Sequence, residues 1–163
     1  SDLKINDLKY GDKEEEIRKS LGTPNKEKNI TKDKYSYKEL IYDGLTVTLK
    51  EFYNDYMLVG VKVTSNKYDV ARNIKVNDSI TKTMKKFKVQ NKKGTYMYGN
   101  YPYKALSDDE ITETIYFGAR NSSKVLYVNK DATVNNEKSN ISKLNIYYKL
   151  GKITKIEWSY DFE

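Results

Sequence analysis

The sequence predicts an α+β fold of two tandem units, each a short N-terminal helix packed on an antiparallel sheet meander. Three observations predict it. A pentad occurs twice, as Leu8–Asp12 and Ile74–Asp78. Apolar residues at helical spacing follow each copy, and alternating apolar residues follow each helix. The expected units are residues 1–70 and 71–163.

The two helices are predicted by their first residues and their apolar spacing. Asp12 and Asp78 close the pentads and are expected N-caps. The apolar residues that follow are Ile17 and Leu21 in the first copy, and Ile80, Met84 and Phe87 in the second. Gly22 is expected to end the first helix. Helices this short need a sheet to pack on.

The strands are predicted by alternation and by turn residues. Asp43–Gly44 separates two alternating runs and predicts a two-residue hairpin with positive φ at both positions. Met57–Val63 is expected to form a third strand. The expected strands of the second unit are Ile111–Phe117, Val125–Val128, Leu144–Leu150 and Ile156–Tyr160, with a turn at Gly151–Lys152.

Composition excludes several classes of function. The 163 residues include no Cys and no His, which excludes disulfides, thiol and imidazole catalysis, and the usual zinc ligands. The 30 Lys and Arg residues outnumber the 23 Asp and Glu residues, so the net charge is +7. Because of this net charge, the chain is expected to be drawn to anionic surfaces. No apolar run approaches the roughly 20 residues of a membrane-spanning helix.

Several motifs resemble one family of small binding proteins. Leu8-x-x-Gly11-Asp12, with Ile17 and Leu21-Gly22-x-Pro24, resembles the opening signature of the β-lactamase-inhibitor-protein-like superfamily, which includes the SmpA/OmlA type of outer-membrane assembly lipoproteins. Val61–Asp78 is similar to the join between two such units in predicted lipoproteins of low-GC Gram-positive bacteria. Gly151–Ile156 is similar to their final hairpin.

The resemblance implies non-enzymatic protein binding on a concave sheet face, at the cell surface or on a lipid anchor. Because the chain opens at Ser1, a signal peptide and anchor are expected to have been removed. Asp43 is the nearest counterpart of the aspartate that the founding inhibitor inserts into an enzyme, but a turn-only role is favoured for it. Asn77 stands where the family has glycine.

Tyrosines are the first candidate binding residues. The chain has 16, which an AT-rich genome also favours. Tyrosine offers a large, rigid contact area with a polar tip, and binding surfaces are rich in it. The candidates are Tyr96, Tyr98, Tyr101 and Tyr103 in one loop, and Tyr35, Tyr37 and Tyr147 on strands. The alternative is that these rings only cover the sheet.

Lysines are the second candidate. A run without an intervening acid comprises Lys82, Lys85, Lys86, Lys88, Lys92 and Lys93. Its functional interpretation is a patch for anionic lipid or wall polymer, and a solvated helix face is the favoured alternative. Nucleic acid is disfavoured because the only arginines are Arg18, Arg72 and Arg120.

No metal, cofactor or catalytic site is predicted. Asp108–Glu110 is acidic, but adjacent side chains on a strand point apart and do not share a pocket. Asn129–Asn135 offers alternate oxygen ligands but lacks the glycine and the final acid of a calcium loop. An ordinary polar loop is favoured at both places. An enzyme that uses only carboxylates, tyrosine or lysine is the remaining minor alternative.

The sequence thus predicts a non-catalytic extracytoplasmic binding module, a surface lipoprotein whose partner is another envelope or secreted protein. The alternative is a binder of anionic polymer or membrane surface through residues 82–93.

Overall fold

The computed structural model describes residues 3–87, 107–120, 123–128 and 141–161. The chain divides into two compact units, Ser1–Lys75 and Val76–Glu163. The division falls five residues after the expected one, and the assignment of each unit to a repeat of the inhibitor-like family stays a prediction. Each unit is described by itself below.

The first unit is built around a four-stranded antiparallel meander. Its elements are β1 (Lys4–Ile5), β2 (Leu8–Lys9), α1 (Glu14–Leu21), β3 (Lys26–Lys32), β4 (Tyr35–Tyr42), β5 (Leu45–Phe52) and β6 (Asp55–Val63). β1 pairs with β2, while β3 to β6 pair in chain order and form the first sheet. Leu40, Val47 and Val61 are register partners across three strands and are all buried. This face of the first sheet is therefore its core face.

The second unit also contains one helix and one sheet in its described part. Its elements are α2 (Ile80–Met84), β7 (Ile111–Arg120), β8 (Ser123–Val128), β9 (Ile141–Lys149) and β10 (Lys152–Asp161). β9 lies between β10 and β7, and β7 pairs with β8, which gives the second sheet. Ile115, Leu144 and Trp158 are register partners and are buried. They form the centre of its core face.

The first pentad is tied to the last strand of its unit. The Gly11 N–H donates to the Leu58 carbonyl at 3.0 Å, and the Leu58 N–H donates to the Asp12 carbonyl at 2.9 Å. Gly11 has φ +87°, a conformation that costs glycine little. β6 then has a β-bulge, where the register with β5 shifts just after Leu58.

The second pentad makes the same pair of bonds. The Asn77 N–H donates to the Ile153 carbonyl at 2.8 Å, and the Ile153 N–H donates to the Asp78 carbonyl at 3.0 Å. Asn77 has φ +75° and so performs the conformational role of Gly11, since asparagine tolerates this region better than most residues. The register of β10 with β9 shifts just after Ile153. We call this arrangement of bonds the pre-helix pairing.

The predicted fold class is wrong. The structure is mostly β, with 54% of it in strands and 12% in helices, and is not two tandem helix-on-sheet units. The helices α1 and α2 have only eight and five residues. A helix that buries only about one apolar side chain per turn stays short. The alternating runs, in contrast, extend over strands of up to ten residues.

Both predicted N-caps are also wrong by one residue. Lys13 precedes α1, and its N–H donates to Glu16 Oε2 at 2.9 Å. Asp12 instead accepts from the Lys9 N–H at 2.9 Å, so its carboxylate is used in the turn before the helix. Ser79 precedes α2 and accepts from the Lys82 N–H at 3.4 Å. The carbonyls of Asp12 and Asp78 are held by the pre-helix pairing, which delays each helix by one position.

Three features of the strands differ from expectation. β3 was not predicted, because all seven of its residues are exposed and none alternates in polarity. Leu150 leaves the apolar face of β9 and lies 60% exposed in the turn with Gly151, where both have positive φ. At the Asp43–Gly44 hairpin only Gly44, with φ +72°, is in the left-handed region.

Gly44 should be harder to replace than Gly11. A Cβ at Gly44 would lie 2.3 Å from Ser65 Cβ, whereas a Cβ at Gly11 would meet nothing within 4 Å. We expect Gly44→Ala to lower the free energy of unfolding by about 2–3 kcal/mol, from backbone strain and overpacking together. Gly11→Ala, the control, should cost about 1 kcal/mol from strain alone. Urea denaturation measures both, and equal losses would contradict the close approach at Ser65.

Glu14 of α1 should make stability depend on pH. It accepts hydrogen bonds from Arg18 Nη2 at 2.7 Å and from Lys38 Nζ at 2.8 Å. Burial alone would raise the pKa of Glu14, but the bonds from Lys38 and Arg18 bring it below its ordinary value of 4.5. A lowered folded pKa gives stability that is present above pH 4.5 and is lost as the pH falls through the folded pKa.

We therefore expect Glu14→Gln to lower the free energy of unfolding by roughly 1 kcal/mol at neutral pH, and to flatten its decline below pH 4.5. Glu15→Gln, on the exposed side of α1, is the control. The measurement is urea denaturation over a range of pH. Parallel pH profiles for the wild type and Glu14→Gln would rule out this ion pair as the source of the dependence.

Candidate binding faces

A buried lysine surrounded by aromatic rings lies on the first sheet, on the face opposite its core face. We call this the open face. Lys50 of β5 is 5% exposed. Its Nζ lies 3.8 Å from the ring centroid of Tyr35, 5.4 Å from that of Phe52 and 5.8 Å from that of Tyr37. We call these four residues the Lys50 cluster.

The sheet register explains how the Lys50 cluster forms. Tyr37 is the register partner of Lys50, and Tyr35 and Phe52 lie two residues further along β4 and β5 on the same face. Alternate residues of a strand share a face, so the three rings necessarily surround the lysine stem. The sequence reasoning missed Lys50, because a lysine that follows Thr46 and Thr48 in an alternating strand is normally solvated.

The ammonium of Lys50 differs from those of the other lysines that lie over tyrosine rings in the described residues. Lys38 Nζ lies 4.4 Å from the Tyr56 centroid and also pairs with Glu14. Lys155 Nζ lies 3.9 Å from the Tyr147 centroid and 3.6 Å from a carboxylate oxygen of Glu157. Within the part of the chain that the structure describes, Lys50 has the rings but no carboxylate.

The surroundings of the cluster are basic and partly apolar. Lys32 of β3 is the register partner of Tyr35, and Ile30 is the register partner of Tyr37. Ile30 is 38% and Tyr35 48% exposed, which is high for large hydrophobic side chains. Glu39, opposite Lys28, is an acid on the same face and marks one boundary of the basic region. The open face thus combines exposed apolar area with uncompensated positive charge.

Tyr147 lies in the second unit, in a different environment from Tyr35 and Tyr37. Its hydroxyl donates to Glu157 Oε2 at 3.1 Å, and Lys155 covers its ring. Burial, and then Glu157, raises the pKa of Tyr147 above its ordinary value. Beside it, Thr114 donates to Asn145 at 2.7 Å. The described polar groups beside Tyr147 are thus paired with one another, which distinguishes its surroundings from those of Tyr35 and Tyr37.

The remaining candidates are partly outside the described residues. Tyr96, Tyr98, Tyr101, Tyr103, Lys88, Lys92 and Lys93 lie outside them, as does the Asn129–Asn135 loop. Lys82, Lys85 and Lys86 are exposed, while Ile80, Met84 and Phe87 are buried. The described half of the basic patch is therefore a polar surface on the outside of α2.

Asp43 takes part in a surface ion pair. Its carboxylate lies 2.9 Å from Lys67 Nζ and is 83% exposed. The hydrogen bond from Lys67 lowers the pKa of Asp43 below its ordinary value. These contacts belong to the turn, and the turn-only role favoured for Asp43 stays a prediction.

Glu113 is a buried acid that the sequence reasoning also missed. It is 9% exposed on the core face of the second sheet, and Glu113 Oε1 accepts from the Tyr148 hydroxyl at 3.0 Å. Its position between Ile111 and Ile115 in the alternation is the signal that could have found it. In the described residues, no cluster of three acids suited to a metal ion occurs.

Comparison with known proteins yields one distant likeness. No family model and no curated protein matches the chain. The chain is similar to the structure, solved at 1.5 Å, of an extracellular protein containing a SCP domain from Bacillus anthracis str. Ames, with 14% identity and a TM-score of 0.46. The match covers 93% of this chain and 44% of that one. No helix among the described residues is long and apolar enough to cross a membrane.

Replacing Lys50 should change the free energy of unfolding only slightly. Burying the stem of Lys50 beneath the rings removes part of the hydration of its ammonium, and each cation–π contact returns only about 0.5–2 kcal/mol. We therefore expect Lys50→Met to leave the free energy of unfolding unchanged or to raise it by up to about 1 kcal/mol. Urea denaturation measures this, with Lys38→Met as a control that should be destabilising because it removes one of the two cations that Glu14 binds and leaves only Arg18. A loss above about 2 kcal/mol for Lys50→Met would make Lys50 a structural residue.

Proposed function

We propose that this chain is a non-catalytic binding module that binds another protein through the open face of the first sheet. The observation that carries the proposal is the Lys50 cluster: a lysine whose stem is buried by three rings, on a face with exposed Tyr35 and Ile30. Contact surfaces between proteins are enriched in tyrosine and in such rigid aromatic anchors. Tyr35 and Ile30 are exposed beside the cluster and are available to a partner.

The proposed partner is another envelope or secreted protein, and the proposed setting is the cell surface, on a lipid anchor. Support for the setting comes from the motifs at Leu8–Pro24 and Val61–Asp78, which resemble those of inhibitor-like lipoproteins. The composition favours binding over catalysis, because a chain without His and Cys lacks the commonest general bases and nucleophiles.

An anionic polymer or membrane surface is the second candidate partner. Lys82, Lys85 and Lys86 are exposed on the outside of α2, which favours electrostatic binding there. Such binding weakens steeply as ionic strength rises, because exposed charges are screened beyond a Debye length of about 8 Å at physiological salt. Salt dependence therefore distinguishes this candidate from an aromatic protein-binding face.

The test is affinity capture with the purified chain, at low and moderate salt, from envelope and culture-supernatant extracts. The double variant Tyr35→Ser, Tyr37→Ser should reduce the retained partner at least about tenfold, which corresponds to about 1.4 kcal/mol of lost binding free energy. Tyr147→Ser, the same change on the second sheet, should leave capture unchanged. Thermal melting of each variant checks folding.

Other outcomes of the capture assign the site elsewhere. Equal capture by the double variant and the wild type would refute the open face as the site. Loss on replacing Tyr96, Tyr98, Tyr101 and Tyr103 with Ser would place it on that loop. Retention of polymer or lipid alone, lost at moderate salt and on replacing Lys82 and Lys85 with Gln, would favour the second candidate.

A further inference from the structure

We propose that the partner segment bound by the open face is acidic and extended, and that one of its carboxylates binds the ammonium of Lys50. This inference rests on the proposed function and specifies its partner. It names an acidic protein segment, rather than a phosphate polymer or a lipid surface, as the ligand of the Lys50 cluster.

The first step is the accessibility of the Lys50 ammonium. No buried side-chain nitrogen of the described residues lacks a hydrogen-bond partner, so the N–H donors of Lys50 are reached by water, which a carboxylate can replace. An ammonium has three N–H donors, and aromatic faces attract its charge without accepting strong hydrogen bonds. Lys38 and Lys155 show how this protein completes the same arrangement, since each lies over a tyrosine ring and also pairs with a carboxylate. Among the described residues, the Lys50 cluster lacks only that carboxylate. A carboxylate from a partner would complete it in the same way.

The second step is the spacing of the charges around β4. Lys32 of β3 and Lys50 of β5 flank the Tyr35–Tyr37 stretch of β4. Neighbouring strands lie about 4.8 Å apart, so the backbones of β3 and β5 are separated by roughly 10 Å. A chain lying over β4 is therefore within reach of both lysines. In an extended segment, side chains two residues apart lie on the same face about 7 Å apart. Two such carboxylates can therefore reach the two lysines, one on each side of β4.

The third step is the apolar floor between the two lysines. Ile30 and Tyr35 are partly exposed and Tyr37 is half-buried between them. A phosphate polymer or a headgroup layer gains little from such a floor, whereas a peptide with an apolar residue among its acids buries it. Glu39 repels acids at the other end of β4, whereas Asp55, the register partner of Phe52 at this end, is paired with Lys13 Nζ at 3.0 Å. Charge complementarity and the floor together favour an acidic peptide.

The experiment uses the full chain and two synthetic peptides of about ten residues. One has Glu at alternate positions and Leu at the centre, and the other has Gln in place of each Glu. Fluorescence titration should show the Glu peptide binding at least about tenfold more tightly than the Gln peptide. Lys50→Met and Lys32→Gln should each weaken it about tenfold, while Lys50→Arg should retain most of the affinity. Lys32 is exposed, so its variant tests the site even if Lys50→Met unfolds.

The control is the double variant Lys82→Gln, Lys85→Gln, which removes exposed charge from the second unit and should leave peptide binding nearly unchanged. Equal loss in this control, equal affinity for the two peptides, or tighter binding of anionic vesicles or teichoic-type polymer at the same lysines would each overturn the inference. The proposed function fails separately. If the Glu peptide does not bind but capture still depends on Tyr35 and Tyr37, only the acidic nature of the partner is wrong.

Discussion

The pre-helix pairing is the constraint on which both units depend. In each unit, two backbone hydrogen bonds join the turn before the helix to the last strand, at Leu58 in one and Ile153 in the other. These bonds fix where the helix begins and where the strand meets its bulge. They require a residue that accepts positive φ, which is Gly11 in the first unit and Asn77 in the second. One backbone geometry is thus achieved with two different residues.

The sequence predicted those parts of the fold that leave a local pattern. Gly11, the Asp43–Gly44 hairpin and the alternation in β5, β6, β9 and β10 could all be found without a structure. β3 could not, because a strand exposed on all seven residues has no apolar alternation to reveal it. The share of helix relative to strand was overestimated for a related reason. Helix-cap residues are conspicuous in a sequence, but the helices they introduce here are short.

Only part of the candidate site could be predicted from the sequence, for a different physical reason. Tyr35 and Tyr37 could be assigned to a surface from their positions in an alternating strand. The burial of Lys50 depends on rings contributed by a neighbouring strand and on the register that brings them together. A local pattern carries no information on such cross-strand neighbours, so the same residue looked like an ordinary solvated lysine. Glu113 differs, because its place in the alternation between Ile111 and Ile115 indicates burial, and only its partner, Tyr148 of β9, depends on the register.

The exposure of β3 also bears on how the chain behaves at high concentration. β3 is the terminal strand of its sheet, so one side of its backbone offers unpaired N–H and C=O groups to any strand that approaches. Lys26, Lys28 and Lys32 give this strand a charge that repels another copy of itself. The same lysines therefore act as gatekeepers against self-association. A polyanion or concentrated salt that masks these lysines weakens that repulsion, so the tendency of this edge to pair with another strand is expected to rise with ionic strength.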